Sequence, residues 1–127
     1  MNITIIGTGY VGLVTGACFA ELGNSVTCLD INPEIIRNLK KSKVPFYEPG
    51  LEDLVKKNLI NKNLKFTTSY NVGCKNDIFF ICVDTPDDGK GSPNLNSLNS
   101  VIKKLKQTIK RNAILVLKST LPIGTNR

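Results

Sequence analysis

The chain has 127 residues, 41% of them apolar and 21% charged, and 17 Lys and Arg against 10 Asp and Glu give a net charge of +7. That is material for one domain with a single core, too little for a catalytic domain beside a nucleotide-binding one, and too apolar for a disordered chain. No apolar run reaches the ~18 residues that a membrane helix needs. The chain has no histidine, and its four cysteines lack zinc or redox-pair spacing, so no metal site is expected.

Short apolar runs alternate with helical patterns, which argues for a parallel sheet covered by helices. Ile3 to Ile6 is the first strand. A helix follows from about Tyr10 to Leu22, ended by Gly23. Val26 to Leu29 is the second strand. Asn32 then caps a helix with Pro33 and Glu34 in its first turn, running to about Lys41. Pro45 and Pro49 bracket a loop before a helix marked by Leu51, Leu54, Val55 and Leu59. A short strand is expected at Leu64 to Thr67. Asp77 opens a strongly apolar strand, Ile78 to Val83. A polar loop with Pro86, Gly89, Gly91 and Pro93 leads to a helix on which Leu98, Val101, Ile102, Leu105 and Ile109 recur at helical spacing. Ala113 to Leu117 is the last strand.

The predicted class is α/β: a Rossmann-type doubly wound parallel sheet in three αβα layers, one domain over residues 1–127. It stops after about five strands, where another helix is due, and so reads as a shortened chain.

The basic excess gathers in two runs, Lys56, Lys57, Lys62 and Lys65, then Lys103, Lys104, Lys106, Lys110 and Arg111. Both are read as the solvated outer face of amphipathic helices. No aromatic residues interleave with them, so nucleic acid is not an expected partner. Cys18 and Cys82 lie in apolar runs and read as small buried hydrophobes. The N-terminus has no basic leader and glycines break its apolar stretch, unlike a signal peptide. The expected compartment is a reducing cytoplasm, with no membrane association.

Chemistry concentrates at Gly7-Thr8-Gly9-Tyr10-Val11-Gly12. A GxGxxG pattern alone is weak, but this one follows a strand, opens a helix, and precedes an acid at the end of a second strand. Gly7 permits the tight turn, Gly9 lets backbone approach a pyrophosphate, and Gly12 lets the helix pack closely. The helix N-terminus offers N–H groups and partial positive charge to phosphates. Asp30, 23 residues after Gly7, is placed to accept hydrogen bonds from the adenosine ribose. It would repel a 2′-phosphate, which favours NAD over NADP. On the residues alone, the glycines could instead form only a tight turn, and Asp30 could cap the next helix.

Four further segments extend the pattern: Tyr47-Glu48-Pro49-Gly50-Leu51, Val83-Asp84-Thr85-Pro86, Gly91-Ser92-Pro93-Asn94-Leu95, and Lys118-Ser119-Thr120-Leu121-Pro122-Ile123-Gly124-Thr125. With the turn from Gly7 to Leu13, they resemble, in order and over the whole chain, the N-terminal NAD-binding domain of the UDP-glucose/GDP-mannose dehydrogenase family. The resemblance implies oxidation of a sugar-nucleotide primary alcohol, UDP-glucose foremost, to a carboxylate with two NAD. A cysteine thiol would hold the intermediate aldehyde as a thiohemiacetal, oxidised to a thioester and then hydrolysed.

Carried over residue by residue, the resemblance assigns Gly7, Gly9, Tyr10, Val11 and Gly12 to the pyrophosphate turn and Asp30 to the ribose. It assigns Val83, Thr85 and Pro86 to the cofactor-lining end of the fourth strand, and Ser119 and Thr120 to the nicotinamide end. Thr120 would help position a catalytic water. No catalytic role attaches to Tyr47 to Leu51. Two positions depart from the family. Ile35 stands where a basic residue is common, and Arg37 lies roughly 200° around the helix from it. Asn94 stands where an acid is common. The family's nucleophilic cysteine and sugar-nucleotide site fall outside this chain. The implied whole protein is a homodimer, and the 127 residues are expected to be inactive alone. A stand-alone NAD-binding sensor or regulatory module is the other reading.

Overall fold

The computed structural model describes residues 1–73 and 75–119. Its strands are β1 (Asn2–Ile6), β2 (Ser25–Leu29), β3 (Leu64–Thr67), β4 (Ile78–Ile81) and β5 (Ile114–Leu117). Its helices are α1 (Tyr10–Glu21), α2 (Pro33–Lys40), α3 (Leu51–Ile60), α4 (Tyr70–Gly73) and α5 (Asn96–Thr108). The strands form one sheet in the order β3-β2-β1-β4-β5, and every pairing is parallel. The predicted α/β class is what the structure shows.

Strand parity sorts the core into two layers. Ile3, Ile5, Val26, Cys28, Leu64 and Phe66 point to one face, where α1, α2 and α3 bury Leu13, Ala17, Ile36, Leu39, Leu51 and Val55. Ile6, Leu29, Phe79 and Ile81 point to the other, beneath Leu98, Val101 and Leu105 of α5. Each face is apolar because parallel strands are covered on both sides.

Local chemistry sets the boundaries. Gly23, at φ +92°, takes the left-handed conformation after α1 and its C-cap Leu22. The Asn32 side chain accepts from the N–H groups of Glu34 and Ile35, capping α2 as expected. Two strands are shorter than predicted. β4 ends at Ile81, not Val83, because its neighbour β1 leaves the sheet at Gly7; the last ladder contact there is Cys82 N–H to the Ile6 carbonyl, 2.8 Å. β5 begins at Ile114, not Ala113.

Three other expectations need correction. Cys18 is exposed rather than buried. The buried stripe of α1 is Gly12, Leu13, Gly16, Ala17 and Ala20, and Cys18 sits about 100° around the helix from Ala17. Lys62 and Lys65 are not on a helix: Lys62 occupies a left-handed turn and Lys65 projects from edge strand β3. Lys110 and Arg111 follow the end of α5, and Lys110 pairs with Asp77 at 3.3 Å.

Candidate functional site

Strand order reverses between β1 and β4, since the chain winds outward from β1 through β2 to β3 and then returns to β1's other side. The carboxyl ends of the strands splay apart there, which is where open α/β sheets bind ligands. A cavity of about 470 Å³ occupies this place, within the ~300–1,000 Å³ usual for small-molecule sites. Its floor is Ile6 and Leu29, one wall is Gly7, Thr8 and Gly9, and the far wall is the first turns of α5.

The glycines of the turn do distinct jobs. Gly7 has φ +97°, and a Cβ there would lie 2.7 Å from the Cys82 carbonyl oxygen. Gly12 has no room at all: its Cβ would stand 1.8 Å from the carbonyl oxygen of Gly7. Gly12 therefore lets α1 start directly against the turn. Close packing of the helix on the sheet, assigned to Gly12 from the sequence, rests also on Gly16, whose Cβ would meet Cys28 Sγ at 2.7 Å and Ile5 at 3.3 Å. Gly9 is different. A Cβ there would meet only Asp84 Oδ1, at 3.9 Å, so its missing side chain leaves open space on the cavity side. No side chain caps α1 and its first turn holds no acid, so its positive end is left for an anion.

Asp30 lines the cavity and does not cap α2; Asn32 does that. Its Oδ2 accepts from the Thr8 N–H at 2.9 Å and the Thr8 hydroxyl at 2.8 Å, and its Oδ1 accepts from the Asn32 N–H at 3.0 Å. The carboxylate thus stands beside the phosphate turn, where a ribose would follow a pyrophosphate. A vacant approach at Gly9, an uncapped helix end and a fixed carboxylate fit a dinucleotide.

The other expected residues divide. Val83 lines the cavity, whereas Tyr10, Val11, Gly12, Thr85, Pro86 and Ser119 do not. Gly12 is buried under Gly7; Tyr10 and Val11 are exposed. The Ser119 hydroxyl donates to the Val83 carbonyl at 3.0 Å, tying the segment that follows β5 to the segment that follows β4. The Pro86 carbonyl accepts from Asn94 N–H. Thr120 lies outside the described residues, as does Cys74. Among the described residues, no group of three or more His, Cys, Asp or Glu is arranged to hold a metal ion.

Sequence reasoning passed over several cavity residues. Asp84 lines it from within a segment singled out for its neighbours, and Ser97 and Ser100 with Val101 present one face of α5. Small polar residues one turn apart after the fourth strand were the available signal. Tyr10 also has an unforeseen partner: its hydroxyl donates to Glu48 Oε2 at 2.8 Å, and its ring packs on Phe46 at 5.3 Å. The Glu48 hydrogen bond and charge push the Tyr10 phenol above its usual range. The two departures also have explanations. Ile35 packs half-buried against the core, while Arg37 is exposed and outside the cavity. Asn94 Oδ1 accepts from Asn96 N–H at 2.9 Å, a service a carboxylate would perform equally.

A parallel sheet with this turn, this acid and this crevice defines a dinucleotide-binding domain of the Rossmann type. Residues 1–127 match the UDP-glucose/GDP-mannose dehydrogenase family, NAD binding domain, and the chain belongs to that family. It is 47% identical over 127 residues to the UDP-glucose 6-dehydrogenase YwqF of Bacillus subtilis (strain 168), covering 99% of this chain and 29% of that one. Among solved structures, it superposes on a GDP-mannose dehydrogenase from Pseudomonas aeruginosa with TM-score 0.94 at 32% identity, covering 98% of this chain and 30% of that one. A UDP-glucose dehydrogenase from Pyrobaculum islandicum gives 0.92 at 34% identity, with 98% and 30% covered. The chain therefore spans less than a third of these relatives.

Proposed function

We propose that this chain is the hydride-acceptor domain of a UDP-glucose 6-dehydrogenase, binding NAD in the crevice between β1 and β4. The observation that carries this is the cavity at the strand reversal, where Gly9 leaves room for a pyrophosphate and Asp30 stands ready for the ribose. Bound NAD would supply the hydride acceptor. The chain's own residues hold it: the α1 N-terminus and the turn at Gly7, Gly9, Tyr10, Val11 and Gly12 by the phosphates, Asp30 by the ribose. Val83 lines the crevice on the side assigned to the nicotinamide, and the family resemblance assigns Thr85, Pro86, Ser119 and Thr120 to that same end. Thr120 would orient water for the hydrolytic step.

UDP-glucose is favoured as substrate by the 47% and 44% identity to the two Bacillus subtilis UDP-glucose 6-dehydrogenases. GDP-mannose or a UDP-N-acetylhexosamine is the alternative that the structural neighbours support. Among the described residues no cysteine is placed as a thiol nucleophile for the aldehyde step: Cys28 and Cys82 are buried, and Cys18 lies on the outer side of α1. The domain alone is proposed to bind NAD without oxidising sugar nucleotides, and the whole enzyme to be a cytoplasmic homodimer. Nucleic acid is not proposed as a partner. In support, Lys57 and Lys110 pair with Glu21 and Asp77, and Lys104 lies over the Tyr70 ring. No helix among the described residues is long and apolar enough to cross a membrane.

Calorimetry with NAD and NADP tests the binding claim. We expect NAD to bind and NADP to bind at least about tenfold more weakly, the penalty of a 2′-phosphate against Asp30. Absence of NAD binding at millimolar concentration would remove the proposal. The substrate claim is tested by assaying the longest chain encoded with these residues against UDP-glucose and GDP-mannose.

A further inference from the structure

We propose that Thr8 is a positioning residue for cofactor selectivity: it holds the Asp30 carboxylate in the orientation that serves a ribose diol and rejects a 2′-phosphate. This rests on the NAD reading above and names the device behind its selectivity. The GxGxxG pattern leaves position 8 unspecified, so the motif does not explain a threonine there.

Thr8 is 1% exposed, yet it brings two donors to one atom. Its N–H and its hydroxyl reach Asp30 Oδ2 at 2.9 and 2.8 Å. The Asn32 N–H holds Oδ1 at 3.0 Å. A carboxylate offers about four acceptor positions. Among the described residues, three are used, two of them on Oδ2, and the one left open is on Oδ1. Turning the carboxylate would strand a buried hydroxyl and a buried N–H, which is costly. Asp30 therefore meets a ligand with a fixed direction: Oδ1 can accept from a ribose hydroxyl, and the charge cannot swing away from a 2′-phosphate. A valine at position 8 would fill the same space while removing one of the two bonds that set this direction.

The test is calorimetric titration of the 127-residue chain with NAD and with NADP, for the wild type, T8V, T8A and T8S. NAD affinity should fall about tenfold in T8V, the scale of one hydrogen bond to a charged group. NADP affinity should fall less or rise, so the preference for NAD narrows by at least about fivefold. T8A, which cannot crowd the site, should do the same, and T8S should restore wild-type preference. In a D30N background, T8V should change the preference no further. The proposal is overturned if T8V and T8A weaken both cofactors equally, or if T8V and D30N shift the preference independently. A wild type that binds neither cofactor would overturn the NAD reading itself, a distinguishable failure.

Discussion

Gly9 and Gly12 stand three residues apart at the start of α1, and an added methyl group meets opposite surroundings at each. At Gly12 it would overlap the Gly7 carbonyl oxygen; at Gly9 it would project into open space. We expect G12A to cost about 3 kcal/mol or more, as an overpacked backbone contact that cannot relax. G9A should cost about 1 kcal/mol, the scale of a poorer N-cap, while reducing NAD affinity at least about tenfold by blocking the phosphate approach. Urea unfolding and calorimetry on the two variants separate these effects.

The cysteines divide in the same manner. Burial pushes the Cys28 thiol far up and the Cys82 thiol to about 11, against an ordinary 9.0, with Lys118 partly opposing the shift of Cys82. Among the three described cysteines, a neutral thiol reagent should label Cys18 first and leave Cys28 and Cys82 until the chain unfolds, as read by mass spectrometry. Since the folded state keeps these protons after the unfolded state has lost them, stability should fall as pH rises from about 9 to about 11. C82A should flatten that fall; an unchanged slope would show that Cys82 does not cause it.

At the scale of the element, α1 lies close to the sheet because Gly16 has no side chain above Cys28 and Ile5. A helix-interior glycine costs roughly 1 kcal/mol relative to alanine, and the close approach offsets this. G16A should therefore destabilise, by about 1–3 kcal/mol, despite its better helix propensity. C28A should recover part of the loss in G16A, because it removes the Sγ that the new methyl would strike. Simple additivity of the two changes in urea unfolding would contradict the contact. The shortness of β4 follows from a neighbour as well: Cys82 and Val83 are apolar enough to continue the strand, but β1 has already turned away at Gly7. An apolar run cannot reveal where its partner leaves.

Across the whole molecule, what could be read in the sequence is what depends on near neighbours. Strand and helix order followed from apolar periodicity, and the Asn32 cap and the turn glycines followed from spacing. Asp30 was legible as the acid ending a second strand. Its clasp by Thr8 and the bond from Tyr10 to Glu48 were not, because they join residues 22 and 38 positions apart that only the sheet brings together. Asp84, Ser97 and Ser100 were hidden for the same reason, since their place in the crevice depends on the reversal of strand order. Cys18 misled because an apolar neighbourhood in sequence does not say which side of a helix is covered.

The central claim, that NAD lies across the β1–β4 crevice, is tested most directly by amide NMR of the isotope-labelled chain titrated with NAD. The shifts should concentrate at Gly7 to Gly12, Asp30, Val83, Asp84 and the first turn of α5, with α3 and β3 unmoved. Saturable shifts centred on α3 or the exposed edge of β3, or none at millimolar NAD, would contradict it.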